Sequence, residues 1–575
     1  MKKLFVYLRE YRRDCILAPL FKMLEAAFDL AVPLVVASII DRGIPAGDRG
    51  HIVWMVLLLC LLAAVGLSAS VAAQFFSARA AVGFSTKLRH ALMEHLQSLS
   101  YADLDTQGVS TLITRMTSDV NQVQSGVNMG LRLLLRSPFV VFGAMVMAFT
   151  IDARCALIFV GVIAVLLVIV FAIILTTIPM YRGVQQQLDS VTLAARENLT
   201  GVRVLRAFGK EEAEKERFDV RSRRLEAMQL AAGRISASLN PVTSVVINLA
   251  ILLLLRSGAV RVNAGTLTQG QVVALYNYMG QILVELIKMA NLIILLTKAA
   301  ACGDRIAAVL AVHSRQQDGQ ERPEAHKGSV EFRNVSMRYP EAGADALEGV
   351  SFTAAPGETI GIIGGTGSGK STLVNLIPRF YDASAGEVLV DGLNVQRFTM
   401  ADLRRRIGVV PQHALLFSGT IRSNLLWGND GADDEALMRA ICSAQAEDVI
   451  RGKAKGLDEP VEQGGRNFSG GQRQRLTIAR ALVRHPEILI LDDSASALDY
   501  ATDAALRRAI RALPDAPTTF IVSQRTASVR FADRILVLDD GRLIGCGTHE
   551  ELLASCPVYR EIHESQFGGE EEHHG

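Results

Sequence analysis

Long apolar runs fill the chain up to about residue 298 and are absent after it. A helix needs about 20 mainly apolar residues to cross the hydrocarbon core of a lipid bilayer. Several runs approach this length, so they predict an α-helical membrane domain over residues 1–313. Residues 1–14 are basic and amphipathic, which predicts a short helix at the membrane interface. The predicted spans are residues 15–40, 52–76, 133–150, 155–178, 241–262 and 270–298.

Two of the segments between the spans are long, residues 77–132 and 179–240, and both are rich in Lys and Arg. Basic segments next to membrane spans stay preferentially on the cytoplasmic side. Both segments also carry a helical pattern of apolar positions, so the membrane helices are predicted to continue far into the cytoplasm. The sequence thus predicts a multi-pass protein of the plasma membrane, with the second part of the chain in the cytoplasm.

Short β-rich runs alternate with helical runs from residue 329 onward, after a polar segment at 314–328 that predicts a linker. Strands that alternate with helices along the chain are typical of an α/β sheet. We therefore predict an α/β domain over residues 329–567 and an acidic tail over 568–575. The runs that predict strands are VEFRNVSMRY, TIGIIGG, EVLVDG, RIGVVPQ, EILILDD, TTFIVSQ and RILVLDDGRLIGCG.

The composition excludes several classes of protein. The chain has 60 Lys and Arg against 58 Asp and Glu, a net charge of +2. A protein that binds nucleic acid through bulk basic charge is therefore excluded. Half of the residues are hydrophobic, 16 are Pro, and the 47 Gly follow no triplet repeat, so the chain is neither disordered nor collagen-like.

A phosphate-binding loop is predicted between an apolar strand, TIGII, and a helical run, TLVNLI. The segment between them fits the pattern GxxxxGK[ST], in which glycines let backbone N–H groups surround the phosphates of a nucleotide. Lys370 is then predicted to reach the β- and γ-phosphates, and the hydroxyl of Ser371 to bind Mg²⁺. The predicted ATP-binding residues here are Gly364, Gly365, Thr366, Gly367, Ser368, Gly369, Lys370, Ser371 and Thr372.

A second group that organises Mg²⁺ is predicted at the end of the apolar run ILIL. Asp492 directly follows this run, and Asp493 follows Asp492. Many core strands end in an aspartate. One that comes after a phosphate-binding loop at this distance indicates a nucleotide site.

The octet FSGGQRQR, residues 468–475, resembles the signature motif of the ATP-binding cassette (ABC) proteins. Tyr339 matches the aromatic residue that stacks on adenine in that family, and Gln412 matches the glutamine of its Q-loop. The segment LRAFGKEEAEKERF at 205–218 is similar to the second intracellular region of ABC exporters. The resemblance covers nearly the whole chain and implies an ABC exporter half-transporter. The matching signature residues are Ser469, Gly470, Gly471 and Gln472, and the matching D-loop residues are Ser496, Ala497, Leu498 and Asp499.

The resemblance implies a dimer of half-transporters that hydrolyses ATP with Mg²⁺. Two ATPase domains close face to face, and each ATP lies between the phosphate-binding loop of one subunit and the signature of the other. Short coupling helices near 105–120 and 205–215 pass this motion to the membrane helices. The residues implied to bind Mg²⁺ are Ser371, Gln412 and Asp492.

Two positions depart from the family pattern. The family carries Glu as general base where this chain has Asp493. A carboxylate shorter by one methylene lies about 1.5 Å further from the attacking water, and a misplacement of about 1 Å can cost on the order of 100-fold in rate. The family also carries a switch histidine where this chain has Gln524, which cannot become cationic. The site is therefore predicted to bind ATP and to hydrolyse it poorly.

An intact signature beside a degenerate site predicts one subunit of a heterodimer. The partner half-transporter would carry Glu and His at the two departed positions and an altered signature. A homodimer with two slow sites is the alternative. A third interpretation is a regulatory subunit that acts mainly as an ATP-clamped allosteric partner. The apolar spans exclude a soluble ABC ATPase.

The cargo is predicted only as a class, a hydrophobic or amphipathic substrate such as a drug, a lipid or a peptide. Charged residues inside spans are functional candidates because they are costly there. An acidic cavity for cationic amphiphiles is one hypothesis. The alternative is that Lys22 pairs with Glu25 and Glu285 with Lys288, or that these residues lie in the hydrated cytoplasmic extensions of the helices. Import of a metal chelate also stays open, since a fold does not set direction. The candidate cavity residues are Glu25, Asp29, Glu285 and Lys288.

Overall fold

The chain forms two compact units in the computed structural model. The structure describes residues 2–322, 327–340, 342–494 and 496–567. One unit combines residues 1–95 with 110–311, and the other combines 96–109 with the chain from 312 onward. The predicted acidic tail over 568–575 lies outside the described residues, as do residues 323–326 of the predicted linker.

The first part of the chain is helical throughout. In the described residues, six helices are long and apolar enough to cross a membrane. They have 42 to 53 residues, so at about 1.5 Å per residue each is roughly twice as long as a bilayer core is thick. The predicted six-helix membrane domain with long helical extensions is therefore confirmed. Helices α1–α8 are Lys3–Ala46, Arg49–Ser98, Tyr101–Gln107, Val109–Ile151, Ala153–Thr200, Val202–Ala207, Glu211–Asn263 and Gln269–Leu310.

Helix α8 supplies one buried stripe of the membrane domain. Its residues Ala274, Tyr278, Ile282 and Leu286 recur every four positions and are all buried. Residues at this spacing lie on one face of a helix, and the face packs into a core shared with α1, α4, α5 and α7. The hydroxyl of Tyr278 donates to the carbonyl of Leu30 at 2.7 Å, which joins α8 to α1.

Helix α2 is much less covered than the other long helices. Only 6% of its most apolar window is buried, against 22% or more in the other five. Its buried positions include Ala69, Ala73 and Ser77, whose small side chains let a neighbouring helix approach closely. The remaining apolar surface of α2 faces outward from this chain, as expected of a helix that contacts lipid or a second subunit.

Helix α3 corrects the predicted domain boundary. Residues 96–109 were predicted inside the membrane domain 1–313, but they belong to the α/β unit. The ring of Tyr101 packs 4.7 Å from that of Phe380, and the hydroxyl of Tyr381 donates to Asp105 at 2.6 Å. These contacts, which the local helical pattern does not reveal, place α3 against the α/β domain.

Two short helices lie at the starts of the segments predicted to contain the coupling helices. Helix α3 covers Tyr101–Gln107 and helix α6 covers Val202–Ala207. Each begins a few residues before the predicted segment, 105–120 or 205–215, and overlaps its start. A capping box between Ser100 and Asp103 fixes the start of α3, because each residue satisfies a backbone N–H group of the other.

The second unit contains the predicted α/β domain. Its strands β1–β12 are Val330–Met337, Leu347–Ala354, Thr359–Gly364, Ala385–Val390, Leu393–Asn394, Ile407–Val410, Gly419–Thr420, Pro460–Val461, Ile488–Asp492, Thr518–Val522, Arg534–Asp539 and Arg542–Gly547. Its helices α9–α18 are Lys370–Leu376, Met400–Arg406, Ile421–Leu426, Asp434–Ser443, Glu447–Arg451, Gly470–Leu482, Tyr500–Arg511, Thr526–Val529, His549–Ser555 and Pro557–Phe567.

A mainly parallel sheet forms the centre of the α/β domain, with strand order β12-β11-β3-β10-β9-β6. Strand β3 is buried at every position, as expected of a parallel strand covered on both faces. A second, antiparallel sheet has the order β2-β1-β4-β5. The two sheets confirm the predicted α/β architecture. The central sheet presents the carboxyl ends of β3, β9 and β10 at one edge.

Two details of the strand prediction differ from the structure. Strand β2 was not among the predicted runs, although its two ends and alternate positions within it are buried. The run RILVLDDGRLIGCG forms two antiparallel strands, β11 and β12, rather than one. The chain reverses at Asp540 and Gly541, whose φ angles are 40° and 77°. An Asp-Gly pair favours this kind of hairpin turn because both positions need positive φ.

Candidate ATP-binding site

The register of three strands brings the predicted site residues together. Strand β10 lies between β3 and β9, and all three are parallel. Val522 at the end of β10 pairs with Ile362 on one side and with Asp492 on the other. The phosphate-binding loop, Asp493 and Gln524 follow these strand ends. They therefore meet in the crevice at the carboxyl edge of the sheet, where α/β proteins bind ligands.

The crevice is a cleft of about 370 Å³. It contains most of the predicted ATP-binding residues, whereas Gly364, Gly365 and Ser368 do not line it. Ala346, Val522 and Ser523 line it although no sequence motif singled them out. The lining residues are Tyr339, Ala346, Thr366, Gly367, Gly369, Lys370, Ser371, Thr372, Gln412, Asp492, Asp493, Val522, Ser523 and Gln524.

Two glycines of the loop are required by close backbone contacts. A Cβ atom on Gly364 would lie 2.1 Å from the carbonyl oxygen of Leu538, and one on Gly369 would lie 2.6 Å from that of Ala346. Gly369 also has a φ of 94°, which side chains disfavour. The loop can therefore close onto its neighbours only with glycine at these positions.

Lys370 begins helix α9 and is buried. Its ammonium group donates to the carbonyl oxygens of Gly364 at 2.9 Å and Gly365 at 2.6 Å. Burial lowers the pKa of Lys370, while the carboxylates of Asp493 and Asp492 act against this shift. The ammonium group thus lies over the phosphate-binding loop, where it can bind the phosphates of ATP.

Ser371 and Asp492 form a pair suited to a divalent cation. The hydroxyl of Ser371 donates to Oδ1 of Asp492 at 3.0 Å. Burial raises the pKa of Asp492, and the hydrogen bond from Ser371 acts against this rise. A hydroxyl and a carboxylate are oxygen ligands of the kind that Mg²⁺ prefers. The residues present therefore fit the predicted Mg²⁺ site.

Asp493 has a constrained backbone. Its φ is 44°, an uncommon value for a residue with a side chain. Its N–H donates to Val522 at 3.0 Å, and its carbonyl accepts from the hydroxyl of Ser496 at 2.8 Å. Its Oδ2 accepts from the amide of Gln412 at 3.3 Å. The predicted general base and the predicted Q-loop glutamine are therefore neighbours.

The two remaining predicted residues of the cleft lie on its rim. Gln524 is exposed and follows Ser523, whose N–H donates to Ile362 at 3.0 Å. Tyr339, half-buried, bonds through its hydroxyl to Thr372 at 3.1 Å and packs edge-on against Tyr381 at 5.1 Å. The Tyr339 ring is thus fixed beside the phosphate-binding loop, where an adenine can stack on it.

The signature and the D-loop adjoin each other away from this cleft. Among the described residues, none of the signature or D-loop positions lines the cleft. Ser469 is exposed and forms a capping box with Gln472 at the start of α14. A Cβ on Gly471 would lie 3.1 Å from the carbonyl oxygen of Ala497. Leu498 is buried, and Asp499 caps α15 by accepting from Thr502 at 2.9 Å. The exposed end of α14 is free for a group from outside this chain.

The charged residues proposed to line a substrate cavity form a network of ion pairs in the membrane domain. Glu285 is 3% exposed and accepts from Lys288 at 2.9 Å. Lys22 donates to Glu25 at 2.5 Å. These are the two pairs that the alternative interpretation predicted, so the structure favours pairing over an open acidic cavity.

Arg136 is the centre of this network and was missed in the sequence. It pairs with Glu285, lies 3.0 Å from Asp29 and lies 3.8 Å from Glu25. It joins three helices, α1, α4 and α8. A buried arginine surrounded by carboxylates can serve the structure as part of an ion pair, and it can equally be a functional residue. The signal that could have found it is an arginine at the start of a predicted span, facing acidic residues in two others.

The architecture and the cleft define a P-loop ATPase joined to a six-helix membrane domain, and comparisons with known proteins identify its family. Residues 15–286 match the ABC transporter transmembrane region, and residues 347–496 match the ABC transporter family. The uncharacterized ABC transporter ATP-binding protein YfiB of Bacillus subtilis is 38% identical over 99% of both chains. The chain therefore belongs to the ABC transporter family.

Two further proteins resemble the chain over nearly its whole length. The ATP-dependent lipid A-core flippase of Escherichia coli is 29% identical over 99% of this chain and 98% of its own. The structure of a bacterial Atm1-family ABC exporter with ATP bound has a TM-score of 0.79 and 24% identity, over 97% of this chain and 98% of that one. The chain is an ABC exporter half-transporter that binds ATP. It is a multi-pass plasma membrane protein with a cytoplasmic ATPase domain, and ABC exporters act as dimers.

Replacing Lys370 by Ala should weaken ATP binding about 10- to 100-fold, because a charge-assisted contact to the phosphates is lost. Equilibrium titration of the full-length chain with a fluorescent ATP analogue measures this. Lys455→Ala, which removes an exposed lysine of the same domain, is the matched control. Equal affinities of the two variants would contradict the site.

Replacing Arg136 by Met should destabilise the membrane domain by about 3–5 kcal/mol, because Glu285 stays buried without its main partner. The midpoint of thermal unfolding in detergent measures the loss. The double variant Arg136→Met/Glu285→Met should recover most of it, and Lys288→Met, at a half-exposed position, should cost little. A double variant as unstable as the single one would show that the ion pair is not the cause.

Proposed function

We propose that this chain is one subunit of a heterodimeric, ATP-driven exporter of a hydrophobic or amphipathic substrate. In this proposal its own site binds ATP and hydrolyses it slowly, while its signature serves the partner's site. The observation that carries the proposal is one cleft that combines a complete phosphate-binding loop with Asp493 and Gln524.

The backbone of Asp493 is held from both sides, so it cannot move to replace the missing methylene. Its N–H is bonded to Val522, and its carbonyl is bonded to Ser496. The carboxylate therefore ends about 1.5 Å, one C–C bond, short of the position a glutamate would reach. A general base must lie within hydrogen-bond distance of the water that it activates. Slow hydrolysis follows from this shortfall.

Gln524 supports the same conclusion at the other side of the cleft. Its amide can donate a hydrogen bond to a γ-phosphate, but it cannot carry a positive charge or transfer a proton. Both departures affect the chemical step. Neither affects Lys370, the loop glycines or Tyr339, which hold the nucleotide. The cleft is thus suited to bind ATP for long periods.

In the proposed cycle, ATP in this cleft contacts the partner's signature, and Ser469 with the start of α14 contacts ATP in the partner's cleft. Ser371, Asp492 and Gln412 are proposed to hold Mg²⁺, which when bound neutralises phosphate charge. ATP bridges the two ATPase domains and so favours the closed state, and hydrolysis in the partner's site removes one bridge. Helix α3 moves with the ATPase domain of its own chain.

Exposed apolar side chains outside the predicted spans support a dimer. Leu199, Val204 and Phe208, around helix α6, are 77%, 60% and 73% exposed. In the ATPase domain, Phe417 and Trp427 stack 4.1 Å apart and are both exposed. Clustered apolar side chains in contact with water mark interaction surfaces. We propose that the partner subunit covers both groups.

The substrate class is proposed from the membrane domain and one relative. The candidate cavity carboxylates are engaged in ion pairs with Lys22, Arg136 and Lys288, which disfavours an acidic site for a cationic drug. The E. coli relative is named a lipid A-core flippase. An amphipathic, lipid-like substrate fits these observations, and uptake into vesicles containing labelled lipids against labelled cationic drugs would compare the two classes.

The double variant Asp493→Glu/Gln524→His should raise ATP turnover of the full-length chain about 10- to 100-fold, because it restores both the reach of the base and the switch histidine. Turnover in lipid nanodiscs measures this. Asp493→Asn, which has the same length and no basic oxygen, is the control and should not raise turnover. A native chain that is as fast as the double variant would contradict a degenerate site.

Purified alone, the native chain should hydrolyse ATP slowly. Adding a half-transporter with Glu and His at the positions matching 493 and 524 should raise turnover at least about tenfold. Size-exclusion chromatography and turnover of the mixture measure assembly and activity together. Rapid, dimer-dependent hydrolysis by this chain alone would support the homodimer instead.

A further inference from the structure

The loop that carries Gln524 leads into a very short helix, α16, with no cap of its own. Arg525 occupies the N-cap position and makes no capping hydrogen bond with its side chain. The first N–H groups of a helix need acceptors from outside the helix. Helix α16 therefore depends on other parts of the chain for a fixed starting geometry.

Gln566, near the end of helix α18, supplies those partners. Its Oε1 accepts from the N–H of Thr526 at 2.9 Å and from the Thr526 hydroxyl at 3.0 Å. Its Nε2 donates to the backbone carbonyl of Gln524 at 2.8 Å. One side-chain amide thus contacts the backbone on both sides of Arg525, at the carbonyl of Gln524 and at the N–H of Thr526.

Helix α18, which carries Gln566 near its end, is anchored near its start. Tyr559 of α18 is fully buried, and its hydroxyl bonds to Nδ1 of His549 at 2.7 Å. At the far end of α16, Arg507 donates to the carbonyl of Ser528 at 3.1 Å. Helix α16 is therefore held at its start by α18 and at its end by α15, the helix that follows the D-loop.

The orientation of the Gln524 side chain depends on how the start of α16 is held. In the described part of the chain, its side chain makes no hydrogen bond, and Gln524 is one of the residues that line the cleft. With nothing to hold the side chain, its position over the cleft is set by its backbone. In the described chain, two side chains hold the peptide between residues 524 and 525: Gln566 donates to its carbonyl oxygen, and the hydroxyl of Ser523 accepts from its N–H at 3.0 Å.

We propose that Gln566 is a positioning residue for the switch position 524, so that the C-terminal helix sets how residue 524 faces the γ-phosphate. The importance of Gln566 for ATP turnover rests on the proposed function, in which residue 524 acts at the γ-phosphate. The geometric part stands on the three hydrogen bonds alone. The two parts can therefore be tested separately.

The geometric part is tested by hydrogen–deuterium exchange of the native full-length chain in nanodiscs. Gln566→Ala should speed exchange of the Thr526 amide about tenfold, because its acceptor is lost. Gln566→Glu keeps the acceptor oxygen and should leave this amide protected. Glu564→Ala, an exposed neighbour on the same helix, should change nothing. Equal exchange in Gln566→Ala and Glu564→Ala would overturn the proposal, whatever the turnover of the site.

The kinetic part is tested in the Asp493→Glu/Gln524→His background. Gln566→Ala and Gln566→Glu should both lower kcat about tenfold, since both lose the donor to the carbonyl of residue 524. The KM for ATP should stay unchanged, because the residues that hold the nucleotide are intact. A rise in KM with unchanged kcat would overturn the positioning role. If the background itself shows no gain in turnover, the proposed function fails, and the exchange result alone then decides whether Gln566 holds the loop.

Discussion

The parallel register of β3, β10 and β9 is the constraint on which the nucleotide site depends. Val522 pairs with both Ile362 and Asp492, so three segments from different parts of the chain end side by side. Successive residues of a strand point to opposite faces, so a shift of β9 by one residue would move Asp492 away from Ser371. The buried, apolar strands fix the register, and the register in turn places the polar groups of the cleft.

The membrane domain follows from a different constraint. A backbone in lipid must satisfy its own hydrogen bonds, which restricts the spans to helices. Once begun, these helices continue through the polar links, because their sequences keep helical periodicity beyond the bilayer. The cost of placing charge among them is offset by pairing, with Arg136 between carboxylates from α1 and α8. The same residues therefore hold three helices together and leave no uncompensated charge for a cationic ligand.

Much of this could be predicted from local sequence, and the remainder depends on contacts between distant residues. The spans, the β-rich runs and the phosphate-binding loop carry periodicity or fixed spacing, so they were predictable. Arg136 was missed because its partners lie 107 and 149 residues away. Helix α3 was assigned to the wrong unit because its docking depends on Phe380 and Tyr381. Strand β2 and Gln566 belong to no motif, and only the folded chain shows what they contact.

In the proposed function, the degeneration of the site is confined to side-chain chemistry. Asp493 keeps a positive φ and backbone bonds on both sides, and Gln524 keeps a loop held by Gln566. A cleft that had lost its use for ATP would have no reason to keep Gly364 and Gly369, whose replacement the neighbouring carbonyls forbid, or Lys370. The proposed combination of retained ATP binding and impaired hydrolysis favours one long-lived closed site. In the proposed heterodimer this site acts as a hinge, so that opening and closing of the partner's site moves the membrane helices while the two ATPase domains stay in contact.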